Sequence, residues 1–263
     1  MTIERITDRR AIVRFLRNDA GLHLYELGDL DEFFWPATAW YAAREKGAVH
    51  AIAMIYAGAE LPVLLAMENA DPTALRALLA GITADLPSRI YCHLTPGLES
   101  ELSRWFSLEH YGWHHKMLLR DPDKLLSYDT SDVISLTRDD LGEIQSFYQQ
   151  SYTGNWFDPR MLDTGQYCGI RVDRTLASVA GVHVYSPAYK VAALGNIATR
   201  PDYRGRGLGA RVTAGLCRQL LRSVETIGLN VKADNAAAIA CYTKLGFAFN
   251  AEYGEYMAVR MAR

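Results

Sequence analysis

The sequence predicts an α+β protein built from two domains of similar construction. The chain has 263 residues, which suits two domains of about 130 residues each. Hydrophobic residues make up 49% of the chain and charged residues 22%, the balance of a soluble globular protein. Each half also runs through the same order of predicted elements: three strands, then helix, strand, helix and strand.

In the first half, a helix is predicted first because Ile12, Phe15 and Leu16 recur at helical spacing. Two strand-like runs on either side of Lys46-Gly47 predict a hairpin. Pro72 suits the start of a helix, because its missing N–H has no partner in a first turn. The predicted elements are a helix at 11–18, strands at 38–43, 49–56 and 62–67, a helix from residue 71, a strand at 90–94, a helix at 98–106 and a strand at 113–119.

The polar segment 120–131 contains the turn signal Asp121-Pro122-Asp123 and marks the predicted domain junction. The first domain is placed at 1–126 and the second at 132–263. Because the halves share little sequence, we infer the duplication from element order alone. The elements predicted for the second half are a strand at 133–136, a helix at 140–149, a helical segment at 159–163, strands at 167–172, 177–185 and 191–199, a helix at 207–225, a strand at 228–232, a helix at 235–245 and a closing hairpin at 247–260.

Charge and composition exclude several classes of protein. The net charge of −2 and the pI near 6.4 give no overall attraction to nucleic acid or to an anionic membrane. The first ten residues carry charges where a signal peptide needs an apolar stretch, and no window approaches the ~20 apolar residues of a membrane span. We therefore expect a cytoplasmic protein, monomeric or homodimeric, that binds neither nucleic acid nor membrane.

We expect no metal site. The four cysteines, Cys92, Cys168, Cys217 and Cys241, are widely spaced and form no CxxC pair. They are interpreted as small buried side chains in a reducing compartment. The pair His114-His115 lies on a predicted strand, where adjacent side chains point to opposite faces and do not readily share one metal ion.

The sharpest local signal is a glycine-rich loop that joins an apolar strand to an amphipathic helix. Its glycines at 205, 207 and 209 leave backbone N–H groups open to a ligand at the positive end of the helix. Arg204 and Arg206 add charge that suits a diphosphate. A tight turn with exposed arginines is the plainer alternative. The loop has no Gly-Lys-Ser/Thr and fits the dinucleotide fingerprint poorly.

The loop and a second motif together resemble the GNAT superfamily of acyl-CoA-dependent N-acetyltransferases. Arg204, Gly207 and Gly209 fit the family signature Arg/Gln-x-x-Gly-x-Gly/Ala. Residues 235–247 fit Asn-x-x-Ala-x-x-x-Tyr-x-Lys-Leu-Gly-Phe. The resemblance covers 132–263 clearly and 1–126 only as an order of elements, so the first domain is predicted to be a degenerate GNAT-like copy.

The resemblance implies a mostly antiparallel, mixed sheet flanked by helices in each domain. In the second domain this sheet would open between the strand that ends at Thr199 and the strand that starts at Gly228. Acetyl-CoA would lie there, with its pantetheine on the open strand and its pyrophosphate on the loop amides. The implied acetyl-CoA contacts are Ile197, Ala198, Thr199, Arg204, Gly205, Arg206, Gly207, Leu208, Gly209, Ala210, Asn235, Ala238 and Tyr242.

Acetyl transfer from a thioester to an amine needs a proton for the departing thiolate and a base for the amine. Tyr242 occupies the family's acid position, although a core aromatic is the plainer interpretation. Asn235 also suits a helix N-cap. Many relatives carry Glu on the strand before the loop, where this chain has Asn196. His183, Glu255 and a water chain stay open as the base.

The predicted function is direct transfer of an acetyl group from acetyl-CoA to a primary amine of a small molecule or an amino acid. The alternatives are a longer-chain acyltransferase of glycine-acyltransferase type and a non-catalytic CoA sensor. The first domain has an acidic, glycine-free turn after 62–67 and is predicted not to bind CoA. The acceptor is expected to contact a variable loop at 152–158.

Overall fold

The computed structural model describes residues 1–58 and 60–262 and divides the chain into two compact units. Unit 1 comprises Met1–Lys116, Val231–Asp234 and the chain from Asn250 onward, and unit 2 comprises Met117–Asn230 and Asn235–Phe249. The domain junction placed at 126–132 from the sequence stays a prediction. None of the helices in the described ranges is both long and apolar enough to cross a membrane.

Unit 1 is an α+β unit with a mixed sheet. Its elements are β1 (Thr2–Arg5), α1 (Arg9–Leu16), α2 (Leu24–Gly28), β2 (Thr38–Glu45), β3 (Ala48–Tyr56), β4 (Val63–Ala66), α3 (Thr73–Ile82), β5 (Arg89–Leu94), α4 (Glu99–Leu102), most of β6 (Phe106–Leu119) and most of β12 (Phe247–Arg260). Strands β1 to β5 are paired in chain order, and β12 follows β5. Only the β4–β5 pair is parallel among these pairings.

Local sequence explains several of these elements. Lys46 and Gly47 both have positive φ, 50° and 85°, which gives the tight turn of the β2–β3 hairpin. Asp8 caps α1 by accepting hydrogen bonds from the amides of Arg10 and Ala11. Helix α3 buries Leu75, Leu78, Leu79 and Ile82 against one face of the sheet. These side chains and the apolar residues of that face form the hydrophobic core of unit 1.

Unit 2 repeats this plan. Its elements are β7 (Ile134–Ser135), α5 (Leu141–Ser151), β8 (Cys168–Val172), β9 (Thr175–Ser186), β10 (Val191–Thr199), α6 (Leu208–Leu220), most of β11 (Thr226–Lys232) and α7 (Ala236–Lys244). Strands β7 to β10 are joined by antiparallel pairs, and β10 pairs with β11 in parallel. The α+β class, the mostly antiparallel sheets and the repeated order of elements are therefore confirmed.

The parallel pair differs between the two units. In unit 2 the ladder runs from Val191–Thr226 to Leu194–Leu229, and β10 then continues for five residues as far as Thr199. In unit 1 the ladder reaches the last residue of β4, Ala66, opposite Leu94. Thr95 extends that connection, because its N–H donates to the Ala66 carbonyl and its Oγ1 accepts from the Glu68 amide.

The structure corrects three local predictions and contains two further elements. The closing hairpin at 247–260 is wrong, because β12 is one 14-residue strand that pairs with β5 through Gly254–Val259. The helix at 98–106 shrinks to Glu99–Leu102, since β6 already begins at the buried Phe106. Helix α6 ends at Leu220 rather than near 225. The sequence interpretation also missed β1 and α2.

Gly246 follows α7 with φ +98°, and its carbonyl accepts the amides of Arg120 and Asp121. A Cβ at this position would collide with the Asp121 carbonyl oxygen. We expect Gly246→Ala to destabilise unit 2 by roughly 3 kcal/mol through backbone strain and overpacking. The measurement is the midpoint of urea unfolding followed by circular dichroism.

Gly142→Ala is the matched control for this prediction. Gly142 lies in α5, and a Cβ there would meet no atom within 4 Å. Because Ala has the higher helix propensity, this variant should be neutral or more stable by about 0.5–1 kcal/mol. Equal unfolding midpoints for the two variants would contradict the strain at Gly246.

Candidate active site in unit 2

The end of strand β10 carries a bulge. Gly195 pairs with Gly181 of β9, but the next pair in register is Ala198 with Val179, so Asn196 and Ile197 fall outside the ladder. Asn196 has a positive φ of 54°, which bends the strand at this point. The three predicted pantetheine contacts, Ile197, Ala198 and Thr199, follow as half-buried residues after β10 has left its ladder with β11.

The glycine-rich loop lies between β10 and α6. Gly205 and Gly207 have φ values of +77° and +76°, and a Cβ on either glycine would meet no atom within 4 Å. Gly207 precedes α6, whose first turn has no side-chain cap. The first amides of the 13-residue helix α6 therefore have no side-chain cap, an arrangement that suits the binding of phosphate oxygens.

The loop folds back onto the end of β10. The Arg204 Nε donates to the Thr199 carbonyl at 3.2 Å, and a Cβ on Gly209 would lie 3.2 Å from Thr199 Oγ1. Arg206 donates to the Asp202 carbonyl at 3.2 Å and lies over the Tyr203 ring at 5.1 Å. The structure thus brings the predicted strand contacts and loop contacts together. Both guanidinium groups are exposed, which leaves the loop positively charged.

Helix α7 carries the second motif. The Asn235 Oδ1 accepts the Ala238 amide at 3.1 Å, so Asn235 caps the helix. Tyr242 lies two turns later, half-buried, with its ring 6.0 Å from the Phe247 ring. Burial raises the pKa of Tyr242, and nearby Cys241 and Tyr152 raise it further. The phenol therefore keeps its proton at neutral pH and can donate it to a developing anion.

The two side chains considered as the base lie in different units. His183 on β9 packs its imidazole against the backbone of Gly195, where a Cβ would collide with the ring. Glu255 belongs to unit 1, in β12. No observation assigns a base role to either residue, so both stay predictions.

Sequence reasoning missed the role of Asn196, which it treated only as a residue that cannot act as a base. The side chain is 4% exposed. Its Oδ1 accepts the Trp156 amide at 3.2 Å, and its Nδ2 donates to the Tyr167 hydroxyl at 3.0 Å. Its carbonyl accepts the Tyr148 hydroxyl at 2.7 Å. Asn196 therefore ties the segment 152–158, the predicted acceptor loop, to the bulge in β10.

Aromatic packing supports the same connection. The Phe157 ring lies 5.2 Å from the Tyr148 ring and 5.6 Å from the Tyr167 ring. The Asn155 Oδ1 accepts the Phe157 amide, and its Nδ2 donates to the Tyr152 carbonyl. An Asn within an otherwise apolar strand shortly before the glycine-rich loop was the available sequence signal, since Asn adopts a positive φ more readily than most residues.

Comparison with known proteins supports an acetyltransferase fold. Residues 131–247 match the model of the acetyltransferase (GNAT) family. Mycothiol acetyltransferase of Tsukamurella paurometabola is 36% identical over 106 residues, which are 39% of this chain and 36% of that protein. The ribosomal protein bS18-alanine N-acetyltransferase of Escherichia coli is 51% identical over 57 residues, 21% of this chain and 38% of that protein. The chain therefore spans little more than a third of the length of these two curated relatives.

Among the solved structures that resemble the chain over its full length is a tandem GNAT protein from the clavulanic acid biosynthesis pathway. It is 15% identical, with a TM-score of 0.59 over 100% of this chain and 99% of that chain. At this level of identity the likeness concerns the fold alone.

Replacing Asn196 tests the bulge. Asn196→Gly keeps the positive φ but removes the hydrogen bonds to Trp156 and Tyr167, so we expect a loss of about 1–3 kcal/mol in the free energy of unfolding. Asn196→Ala loses the same bonds and adds strain at positive φ, about 1 kcal/mol more. Urea unfolding of the two variants measures the difference, and an Ala variant as stable as the Gly variant would contradict strain at this position.

Proposed function

We propose, from the match of residues 131–247 to the acetyltransferase (GNAT) family, that unit 2 transfers an acetyl group from acetyl-CoA to a primary amine of a small molecule or an amino acid. The observation that carries the proposal is the separation of β10 from β11 directly before an open glycine loop. Backbone groups of the strand and amides of the loop thereby become available to one elongated acyl donor.

The residues present fit acetyl-CoA. A diphosphate would lie beside Gly205 and Gly207, where a Cβ would meet no atom within 4 Å, next to the amides that start α6 and to Arg204 and Arg206. Ile197, Ala198 and Thr199 offer strand backbone to the amide-containing pantetheine arm. Helix α7 has no fully buried residue although Ala and Ile dominate its first half, which suits a helix that a ligand covers.

The reaction forms a C–N bond between the amine and the acetyl carbon and breaks the C–S bond of the thioester. Tyr242, whose phenol carries its proton at neutral pH, supplies that proton to the leaving thiolate. Asn196 has a neutral amide that accepts no proton, and its oxygen already accepts the Trp156 amide. We assign Asn196 a positioning role for the acceptor loop. His183, Glu255 and water remain the candidates for the base.

Unit 1 offers no comparable opening in its parallel pair. The β4–β5 ladder continues to Ala66 and Leu94, and Thr95 joins the two strands beyond it. These contacts support the proposal that unit 1 does not bind acetyl-CoA and that the chain has one acetyl-transfer site.

The test is thiol release from acetyl-CoA in the presence of a panel of primary amines and amino acids, combined with calorimetric titration of acetyl-CoA, CoA and ADP. We expect binding of acetyl-CoA and amine-dependent thiol release. Faster turnover with benzoyl-CoA or octanoyl-CoA would favour the longer-chain acyltransferase, and binding without turnover on any amine would favour the sensor. Folded protein that binds none of the nucleotides would overturn the proposal.

We expect Tyr242→Phe to lower kcat by about 10²–10⁴-fold, the usual contribution of a positioned general acid. The Kd for acetyl-CoA should change little, because the ring is kept. Thiol release under saturating amine measures kcat, and calorimetry measures Kd. Tyr189→Phe, in the β9–β10 connection, is the control and should retain activity. Unchanged kcat in Tyr242→Phe would remove its acid role.

We expect Arg204→Ala to weaken acetyl-CoA binding by roughly tenfold to a hundredfold, the range of a lost charge-assisted hydrogen bond. Acetyl-pantetheine lacks the diphosphate, so its turnover by this variant should match the wild type. Arg222→Ala removes an exposed arginine beyond the end of α6 and serves as the control. Equal losses for acetyl-CoA and acetyl-pantetheine would argue against a diphosphate contact at Arg204.

A further inference from the structure

Two aromatic side chains are exposed on the acceptor loop, residues 152–158, which joins α5 to the segment before β8. Tyr152 is 42% exposed and Trp156 is 51% exposed. Aromatic rings supply a large contact area at a low cost in conformational entropy, so binding sites use them often. A single exposed ring needs no explanation. Two rings on one short loop deserve one when that loop is also fixed and close to the reacting groups.

Buried residues fix the backbone of the acceptor loop. The Trp156 amide donates to Oδ1 of the buried Asn196 at 3.2 Å. The Phe157 ring packs against the rings of Tyr148 and Tyr167, at 5.2 and 5.6 Å. Phe157 thus points into the unit while its neighbour Trp156 stays exposed. A side chain that is exposed on a fixed backbone has already lost much of the freedom that binding would cost, so it is pre-organised for a ligand.

The acceptor loop lies close to the groups that we propose for acetyl transfer, all of them in unit 2. Asn196, which bonds the Trp156 amide, immediately precedes Ile197, the first strand residue offered to pantetheine. Tyr152 is near enough to Tyr242 to be one of the causes that raise the pKa of Tyr242. An amine held on this loop would therefore have its nitrogen close to the bond that is broken.

The one charged residue of the acceptor loop, Asp158, is neutralised locally. Its carboxylate accepts from the amide of Arg160 at 2.8 Å and from the guanidinium of the same residue at 2.6 Å. The pair caps the helical turn that follows the loop. Asp158 and Arg160 therefore satisfy each other, and neither charge is required by a ligand.

The basic side chains that flank α5 and the acceptor loop are also paired. The sequence of α5 and of the loop contains no Lys, Arg or His. Before α5, Arg138 bonds both carboxylate oxygens of Asp163 at 2.5 Å. After the loop, Arg171 bonds Asp140 and Glu143 at 2.7 and 2.6 Å. These guanidinium groups already have carboxylate partners, so an acceptor carboxylate would have to compete for them.

Positive charge returns only toward the proposed diphosphate site. The next basic residue after Asn196 is Arg200, four residues on, which is roughly 13 Å along an extended strand. Arg204 and Arg206 follow in the glycine-rich loop. A carboxylate next to Trp156 would therefore lose hydration without gaining a cation, which is unfavourable. A second ammonium group would gain nothing either, because Asp158 is paired.

We propose that the acyl acceptor of unit 2 is a primary amine with an uncharged, apolar body, which Trp156 and Tyr152 contact on the acceptor loop. Free amino acids and diamines are then poor acceptors. This inference rests on the proposed function, because it names the acceptor class of the same acetyl-transfer site. Trp156 contacts the body of the amine rather than the reacting nitrogen, so its role is to determine specificity.

The first test compares matched acceptors on the full chain with saturating acetyl-CoA. Phenethylamine and 3-methylbutylamine are paired with phenylalanine and leucine, which add one carboxylate each. Phenylalaninamide keeps the carbonyl without the charge, and 1,4-diaminobutane adds a second ammonium. Thiol release is compared at equal concentrations of the unprotonated amine, because these acceptors ionise differently. We expect kcat/KM of the two apolar amines and of phenylalaninamide to exceed that of the amino acids and the diamine at least tenfold.

The outcomes separate this inference from the function on which it rests. Phenylalanine, leucine or the diamine acetylated as efficiently as the apolar amines would overturn the acceptor class and leave the acetyltransferase function intact. Folded protein that binds acetyl-CoA but releases no thiol with any amine would overturn the proposed function, and the acceptor class with it.

Trp156→Ala removes the exposed ring and keeps the backbone amide that bonds Asn196. We expect its KM for phenethylamine to rise about tenfold to a hundredfold, the range for an apolar contact of this size. The kcat value and the Kd for acetyl-CoA should change little. Trp156→Phe should recover most of the loss. Ethylamine has almost no body to contact the ring, so its KM should be the same in the wild type and in Trp156→Ala.

Leu221→Ala is the matched control, because Leu221 is 39% exposed and caps the end of α6 away from the glycine-rich loop. It should leave the KM for both amines unchanged. Tyr152→Ala keeps the carbonyl that accepts a hydrogen bond within the loop, and it is the second variant if Trp156→Ala does not fold. Folded Trp156→Ala or Tyr152→Ala with the wild-type KM for phenethylamine would contradict the proposal.

Discussion

The end of hydrogen bonding between β10 and β11 after Leu194 and Leu229 is the constraint on which unit 2 depends. Strand backbone that leaves a ladder still needs partners for its polar groups. Here the bulge at Asn196 changes the direction of β10, and the residues beyond it are partly satisfied by Ser178, whose hydroxyl donates to the Ala198 carbonyl. Arg204, in the glycine-rich loop, donates a hydrogen bond to the Thr199 carbonyl at the end of the same segment. The glycine-rich loop and the bulge therefore both satisfy the end of β10 without a ladder to β11.

The two units show how one plan of strands can support different polar chemistry. In unit 2 the ligand-binding groups we propose are backbone amides and arginines, so the local charge is positive and suits phosphate. In unit 1 the corresponding parallel pair is joined by Thr95, and buried polar groups lie on one face of the sheet, where Glu255 accepts hydrogen bonds from the Tyr91 and Tyr253 hydroxyls. Fold and site are therefore separable properties.

Features set by neighbouring residues could be predicted from the sequence, whereas features set by distant partners could not. The Lys46-Gly47 turn, the apolar face of α3 and the Asn235 cap depend on local geometry, and all were anticipated. A closing hairpin was predicted at 247–260, but pairing with β5, about 160 positions earlier, makes this segment one strand, β12. The Asn196 contacts and the hydrogen bond from Tyr91 to Glu255 were missed for the same reason: Tyr91 and Glu255 are separated by 164 positions. The roles assigned to the loop residues and Tyr242 stay predictions.

The assignment of β12 to unit 1 has a consequence for how the protein is made. During synthesis, β1 to β5 leave the ribosome long before β12, so the open edge of β5 must wait for a partner encoded at the far end of the chain. Domains usually fold as they emerge, and unpaired strand edges are prone to aggregation. Unit 1 therefore cannot finish folding until unit 2 has been translated. A nascent chain halted before residue 250 would lack the strand that covers the edge of β5, and such an unpaired edge favours aggregation.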